Sequence, residues 1–299
     1  MLKQYLLLVR LPNLFTAPSN ILAGYFAVIS PSYANVSQLA ILMLSSVLLY
    51  LSGIVFNDYF DIEVDRKERP FRPLPSGQVT KQKAFIIAAA SMIIANVLAF
   101  AVIAASLIIT IILSAAIIGY NYRLKHTIAG PVAMATTRFL NVFLGSSPVH
   151  LAFLFSNNNF FMVRIIVVSI SVFLYVLAIS ILSRMEIGPT RSMQIVSVPF
   201  LIIFGVIATV AYAGFVRVFQ IDLVVSLILF AGIIIITFKR TIFQDYSSAG
   251  VQKAIKTMVL SIILLDSIFV SGTAGLSYGL VTLLFIIPSI ALARKLYVT

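Results

Sequence analysis

The chain has 299 residues, 61% of them hydrophobic and 10% charged, with a mean hydropathy of +1.10 and a formal net charge of +12. Those values exclude an ordinary soluble globular domain and imply a polytopic membrane protein. Zero cysteines exclude disulfides and thiolate metal centres.

Apolar runs of about 20 residues recur without the short alternating strands of a barrel, so the predicted fold is all-α, a polytopic transmembrane helical bundle of nine to ten spans. The first runs roughly from Phe15 to Ser30, with Pro18 expected to bend its first turns. No small-residue cleavage site precedes it, so no cleaved signal peptide is expected. The second runs from Leu39 to about Phe56, the third from Ala84 to about Ala105, and the fourth from Leu107 to Tyr120. Neither Pro nor Gly separates the third from the fourth, and their turn is placed near Ser106. The fifth runs from Pro131 to about Leu151, the sixth from Phe161 to Leu182, the seventh from Met193 to Tyr212 and the eighth from Leu223 to Phe238. Two more, about Ala254 to Val270 and Leu276 to Ala293, bring the candidates to ten.

Charge orients these spans. With the N-terminus inside, 18 of the 21 Lys and Arg fall on inside segments, only Arg164 and Arg217 fall outside, and Arg138 lies within a span. That asymmetry places a multi-pass protein in the cell membrane with its N-terminus and polar loops in the cytoplasm. It accounts for most of the positive charge without nucleic acid. The spacing of polar loops suggests one domain over 1–299, built from a four-helix repeat (1–128 and 129–245) with additional spans over 250–299. The oligomeric state is not encoded in these patterns.

The carboxylates are gathered. Five of the nine fall between Asp58 and Glu68, where the second span ends in Asn57-Asp58-Tyr59-Phe60-Asp61-Ile62-Glu63-Val64-Asp65. If the helix continues past Asn57, then Asp58, Asp61 and Asp65 stand at i, i+3 and i+7, within about 60° of one face, and Glu63 points the other way. Like charges on one face need cations. Hard oxygen ligands suit Mg²⁺, which takes one or two carboxylates together with waters and substrate phosphates. Arg66, Arg69 and Arg72 supply adjacent partners for a diphosphate. A solvated helix end is the plainer alternative. The shared face, the preceding Asn57 and the arginines favour a metal site made of Asn57, Asp58, Asp61 and Asp65.

The pattern Asn57-Asp58-x-x-Asp61-x-x-x-Asp65, followed by Arg69-Pro70-x-Arg72-Pro73-Leu74-Pro75-Ser76-Gly77, resembles the first signature of the UbiA family of intramembrane prenyltransferases. Arg10-Leu11-Pro12 is similar to the family's approach to the first span, Tyr120 to Lys125 to its tyrosine–lysine loop, and Arg138-x-x-Asn141-x-x-x-Gly145 to its fifth-helix pattern. The resemblance implies a bundle around a central cavity, a cytoplasm-facing polar cap and a side opening to lipid. It also implies Mg²⁺, a prenyl diphosphate donor and a lipophilic acceptor, with Asp58, Asp61 and Asp65 catalytic, Lys125 on the diphosphate, and Tyr120 and Asn141 on the cavity. The residues themselves suit that reaction. An allylic diphosphate ionises when its leaving charge is neutralised, and the resulting cation survives against a dry, apolar wall.

One departure stands out. Family members typically carry a second aspartate-rich motif after span six, whereas Ser183-Arg184-Met185-Glu186-Ile187-Gly188-Pro189-Thr190-Arg191 keeps Glu186 alone, a form similar to the divergent EboC-like branch. Either Glu186 supplies the second metal ligand and a catalytic carboxylate, or Arg184 and Arg191 bind phosphate directly. A loop of this kind also fits a catalytically weakened homologue.

Among isolated polar residues, Arg138 is costly within a span unless paired, so a cavity role on the diphosphate is expected. Asn20 faces either an acceptor or a neighbouring helix. Asp266 in span nine is set aside from the site as a neutral group or the partner of a neighbouring helix. A CDP-alcohol phosphotransferase is excluded because Ile62, not Gly, follows Asp61. A non-catalytic or transport-related prenyl-lipid-binding protein stays open as the alternative. The acceptor is an aromatic ring or a glycerol-phosphate lipid; the Arg69 to Gly77 tail resembles the archaeal branch acting on geranylgeranylglyceryl phosphate.

Overall fold

Each of the ten apolar runs folds as a helix in the computed structural model, which describes residues 4–5, 8, 10–149, 159–185, 193–244 and 247–295. The helices are α1 (Thr16–Val28), α2 (Val36–Phe60), the short α3 (Ile62–Glu68), α4 (Lys81–Val102), α5 (Ala104–Tyr122) and α6 (Gly130–Ser146). They continue as α7 (Asn159–Met185), α8 (Met193–Phe215), α9 (Leu223–Lys239), α10 (Ser248–Ala274), and a tenth span broken into α11 (Leu276–Leu283) and α12 (Ile286–Lys295). Among the described residues, eight helices are long and apolar enough to cross a membrane. The two shorter spans are α1, with 13 residues, and α6, with 17.

The shortest of the ten spans, α1, is the centre of the bundle. All 13 residues of α1 are buried, and its polar Thr16, Ser19 and Asn20 are hydrogen-bonded there. Four helices surround it: α2, α6, α7 and α10. Pro18 does not bend it as anticipated. The helix begins at Thr16, so Pro18 falls in the first turn, where its missing N–H has no intrahelical partner to lose.

The crossing of α1 with α6 depends on glycine. A Cβ on Gly24 would strike the Val142 carbonyl and approach the Gly145 Cα, and one on Gly145 would strike the backbone of Ile21 and Tyr25. The two backbones therefore touch, as small residues allow in membrane helices. Between α4 and α5, the chain reverses at the single extended residue Ile103 (φ −166°, ψ 154°), just before the turn expected near Ser106. The most apolar window of α10 is 72% buried, against 17% for the α11–α12 span. A C-terminal helix outside the suggested repeat is thus core, and the last span faces outward.

Candidate active site

The acidic stretch splits its carboxylates between two directions. α2 stops at Phe60 and Asp61 leaves helical geometry (φ −89°, ψ 5°). The amides nevertheless continue the ladder, from Asp61 N to Asn57 O at 3.0 Å and from Asp65 N to Asp61 O at 2.8 Å. Seven residues make nearly two turns, which brings Asp58 and Asp65 into register, while Asp61 lies about 60° round before its own distortion is added. Asp58 and Asp65 are both buried. They share Arg72, whose Nη1 is 2.7 Å from Asp65 Oδ2 and 3.6 Å from Asp58 Oδ1. Asp61 turns instead to the Leu124–His126 turn, with Lys125 Nζ at 2.6 Å and His126 Nε2 at 3.6 Å. The expectation of three carboxylates on one face is corrected to a pair and a single group.

The loop after α3 explains why one arginine reaches this pair. It folds as successive turns, from Arg72 N to Arg69 O at 3.1 Å, Ser76 N to Arg72 O at 3.0 Å, and Gly77 N to Leu74 O at 3.0 Å, with Gly77 in the left-handed region at φ 75°. Buried Leu74 and Val79 anchor it. Arg72 is thereby aimed back at the carboxylates. Arg69 is exposed, and Arg66 bonds Glu63 at 2.9 Å on the exposed side, where Glu63 points as expected.

Arg10 completes the cluster and was missed by the sequence reading. Its Nη2 donates to Asp58 Oδ1 at 2.7 Å. Its backbone is left-handed (φ 43°, ψ 51°), which is costly for a residue with a Cβ and is held here by the ion pair and the Leu11–Asn13 turn. The visible signal was an arginine placed just ahead of the first span.

Three cations thus neutralise three carboxylates beside a cavity of about 530 Å³. Asn57, Arg10, Lys125 and Tyr120 line its mouth, with Asp58, Asp61 and Asp65 standing behind them. Apart from the ion pair, Lys125 Nζ makes no directed hydrogen bond among the described residues, so its donors suit an incoming oxyanion. Arg184 lines the cavity and holds the Lys125 loop, donating to Lys125 O at 2.9 Å and Thr127 O at 2.5 Å. Gly130 makes room for that guanidinium, since a Cβ there would collide with Arg184 Nη2. Glu186 and Arg191 lie outside the described residues. Leu113, Ile117, Val176 and Ile179 give the cavity apolar walls.

Deeper in the cavity, Arg138 is buried on α6. It donates to Thr16 O and Asn20 Oδ1, each at 3.2 Å, and to Thr16 Oγ1 at 2.9 Å, with its guanidinium 4.9 Å from the Tyr50 ring centre. Asn141 Nδ2 donates to Ala17 O at 2.9 Å and its Oδ1 accepts from Ser46 Oγ at 2.7 Å. Together with Gly145, these residues make the Arg138-x-x-Asn141-x-x-x-Gly145 pattern the face by which α6 docks on α1. Arg138 lines the cavity among these partners. Its donors are largely committed, and Tyr50, over which it stands, is eight residues or about 12 Å along α2 from Asp58. Asn20 faces another helix: its Nδ2 donates to both oxygens of Asp266, at 2.9 and 2.8 Å. Asp266, set aside from the sequence, is therefore tied to the cavity wall. The signal for it was a carboxylate in a span with Asn20 and Arg138 available in other spans.

Among the described residues no group of three or more His, Asp or Glu is gathered to enclose a metal ion. The donor set nevertheless fits a hard divalent cation shared with phosphate. Asn57, Asp58, Asp61 and Asp65 offer only oxygen ligands of the kind Mg²⁺ takes one or two at a time.

The UbiA prenyltransferase family model matches residues 18–250. A digeranylgeranylglyceryl phosphate synthase of Saccharolobus solfataricus is 32% identical over 186 residues, covering 62% of this chain and 63% of that protein. One of Methanocaldococcus jannaschii is 38% identical over 100 residues, covering 33% and 34%. The matched stretch thus spans less than two thirds of these relatives' own lengths. In fold, the chain is similar to an apo UbiA homologue of Aeropyrum pernix (TM-score 0.69, 16% identity, 86% of this chain and 96% of that one). It is also similar to a UbiA homologue of Archaeoglobus fulgidus bound to GPP and Mg²⁺ (TM-score 0.65, 15% identity, 94% and 99%).

Proposed function

This chain belongs to the UbiA prenyltransferase family, and on that premise we propose that it is a membrane-embedded prenyltransferase. It moves a polyprenyl group from an allylic prenyl diphosphate to a lipophilic acceptor, a glycerol-phosphate lipid of the geranylgeranylglyceryl phosphate class. The observation that carries this reading is a cavity that joins a charged mouth to apolar walls. The names of the relatives support the acceptor class.

The charge balance explains why a cation is needed. Arg10, Arg72 and Lys125 already match Asp58, Asp65 and Asp61 one for one. A diphosphate adds negative charge that this set does not cover. Asn57, Asp58, Asp61 and Asp65 would hold Mg²⁺ together with it, and the ion would supply the extra neutralisation that makes diphosphate a leaving group. The lysine and arginines then exchange carboxylate for phosphate oxygens, Lys125 being placed by Arg184. Glu186 and Arg191 add a carboxylate and a guanidinium from the α7–α8 connection. Ionisation breaks the allylic C–O bond, its electron pair leaving with the diphosphate. The acceptor hydroxyl attacks the allyl carbon and its proton passes to the released diphosphate. Apolar walls keep water from the cation during that interval. The positive-inside asymmetry supports a cytoplasmic mouth.

A reconstituted assay tests this. The purified chain in liposomes, given labelled prenyl diphosphates and an acceptor panel with Mg²⁺, is expected to transfer the chain to the glycerol-phosphate lipid. Binding of prenyl diphosphate with no transfer to any acceptor would support the non-catalytic reading instead.

A further inference from the structure

Asp266 is fully buried about two thirds of the way along α10, beyond residue 250 where the family match ends. It accepts hydrogen bonds from Ser19 Oγ at 2.6 Å and from Asn20 Nδ2 at 2.9 and 2.8 Å. The Asn20 NH₂ facing both carboxylate oxygens suits an ionised carboxylate, while the single Ser19 hydroxyl is shared with Thr16 O at 3.1 Å. The other side of the Asn20 amide accepts from Arg138 Nη1 at 3.2 Å. Carboxylate, amide and guanidinium thus form one line through α10, α1 and α6.

The line has a sense. With its NH₂ toward Asp266 and its carbonyl toward Arg138, the Asn20 amide relays negative potential onto the guanidinium. Reversed, it would set NH₂ against a cation and a carbonyl against an anion. The carboxylate therefore decides which way Asn20 points, and Asn20 decides where Arg138 rests. Thr16 and the Tyr50 ring hold the guanidinium from two further sides. A buried charge without its counter-charge is costly, so loss of the Asp266 charge leaves Arg138 without the negative potential that holds it on this line.

We propose that Asp266 is a positioning residue for the active site, fixing Arg138 on the cavity wall through the Asn20 amide and making α10 part of the catalytic architecture. Ordinary polar bonding between helices requires only that Asp266 be satisfied. The positioning role requires a negative charge on this line, and the two differ in how they respond to moving that charge by one residue.

The kinetic arm rests on the prenyl-transfer reading, so the experiment includes an arm that does not. In Asp266→Asn, kcat for transfer is expected to fall by about tenfold or more, as misplacement at a reacting centre does. Prenyl diphosphate binding is expected to hold within about twofold, because Arg10, Arg72 and Lys125 are untouched. Asn20→Asp combined with Asp266→Asn moves the carboxylate next to Arg138 and is expected to restore kcat to within about threefold of the starting protein. Should Asp266→Asn fail to fold, Asn20→Asp alone, which sets two carboxylates together, is compared with the double variant and must be the worse of the two. The chain has no tryptophan, so Tyr50→Trp supplies a single reporter beneath the guanidinium. Its emission is expected to shift with Asp266→Asn and to return in the charge-swapped background. Unchanged kcat and emission in Asp266→Asn, or a loss that the swap leaves unrepaired, overturns the positioning role. A starting protein that transfers nothing while the tryptophan emission follows the charge overturns the prenyl-transfer reading alone.

Discussion

Lys125 closes on Asp61 from a different inter-helix connection, its Nζ 2.6 Å from Oδ1, with the two side chains only 8% and 21% exposed. The pair joins the α2–α3 corner to the α5–α6 turn across the mouth of the cavity. Asp61→Ala is therefore expected to reduce transfer at least a hundredfold, by removing a metal ligand and freeing the lysine from its place. The melting temperature in detergent should move by only a few degrees. Undiminished turnover in this variant would remove Asp61 from the metal site.

Arg72 faces a different demand, because it holds two buried carboxylates at once. Arg72→Ala leaves Asp65 without its cation. Breaking a buried pair by removing one partner costs roughly 3 kcal/mol, which chemical denaturation in mixed micelles can measure. Arg72→Lys is expected to recover less than half of that loss, since one ammonium does not reproduce a guanidinium fork.

The α1–α6 crossing gives a prediction about stability alone. Gly145→Ala forces a methyl against the Ile21 carbonyl and the Tyr25 amide, and overpacking of this kind costs about 2 kcal/mol. Gly205→Ala, where nothing lies within reach of an added Cβ, is expected to cost less than about 0.5 kcal/mol and serves as the control. Equal melting temperatures for the two would refute the close approach.

Chelation separates metal from protein charge. Removing divalent ions is expected to stop turnover and to weaken prenyl diphosphate binding, and added Mg²⁺ should restore both. Glu186→Ala then tests the α7–α8 connection. A loss of about tenfold, recovered in part at high Mg²⁺, assigns Glu186 to the metal, and a small loss assigns that connection's phosphate contacts to Arg184 and Arg191.

Hydropathy was enough to place all ten spans, because leaving water is a property of a segment by itself. It also located the acidic mouth, since a chain with nine carboxylates that sets five together leaves a visible mark. What it did not disclose were partners. Arg10 and Asp58 meet across 48 positions, and Ser19 and Asp266 across 247; no periodicity encodes such contacts. The division of Asp58 and Asp65 from Asp61 follows their partners, Arg72 reaching the first two and Lys125 the third. Arg138 was legible as a paired charge, but its partners lie on α1 and, through Asn20, on α10.

The shortness of α1 bears on how a lipid reaches this site. Thirteen helical residues rise only about 20 Å, against a hydrocarbon layer of about 30 Å, and its partner α6 is also short. Three of the helices packed around α1, namely α2, α7 and α10, have 25, 27 and 27 residues, so the central helix is far shorter than these neighbours. Ala17, in the first turn of this short helix, and Asn13, just ahead of it, line the cavity. On the proposed function, a prenyl diphosphate would rest its charged end on Arg10 and Lys125 within that ring of longer helices, with the apolar walls of the cavity taking its tail.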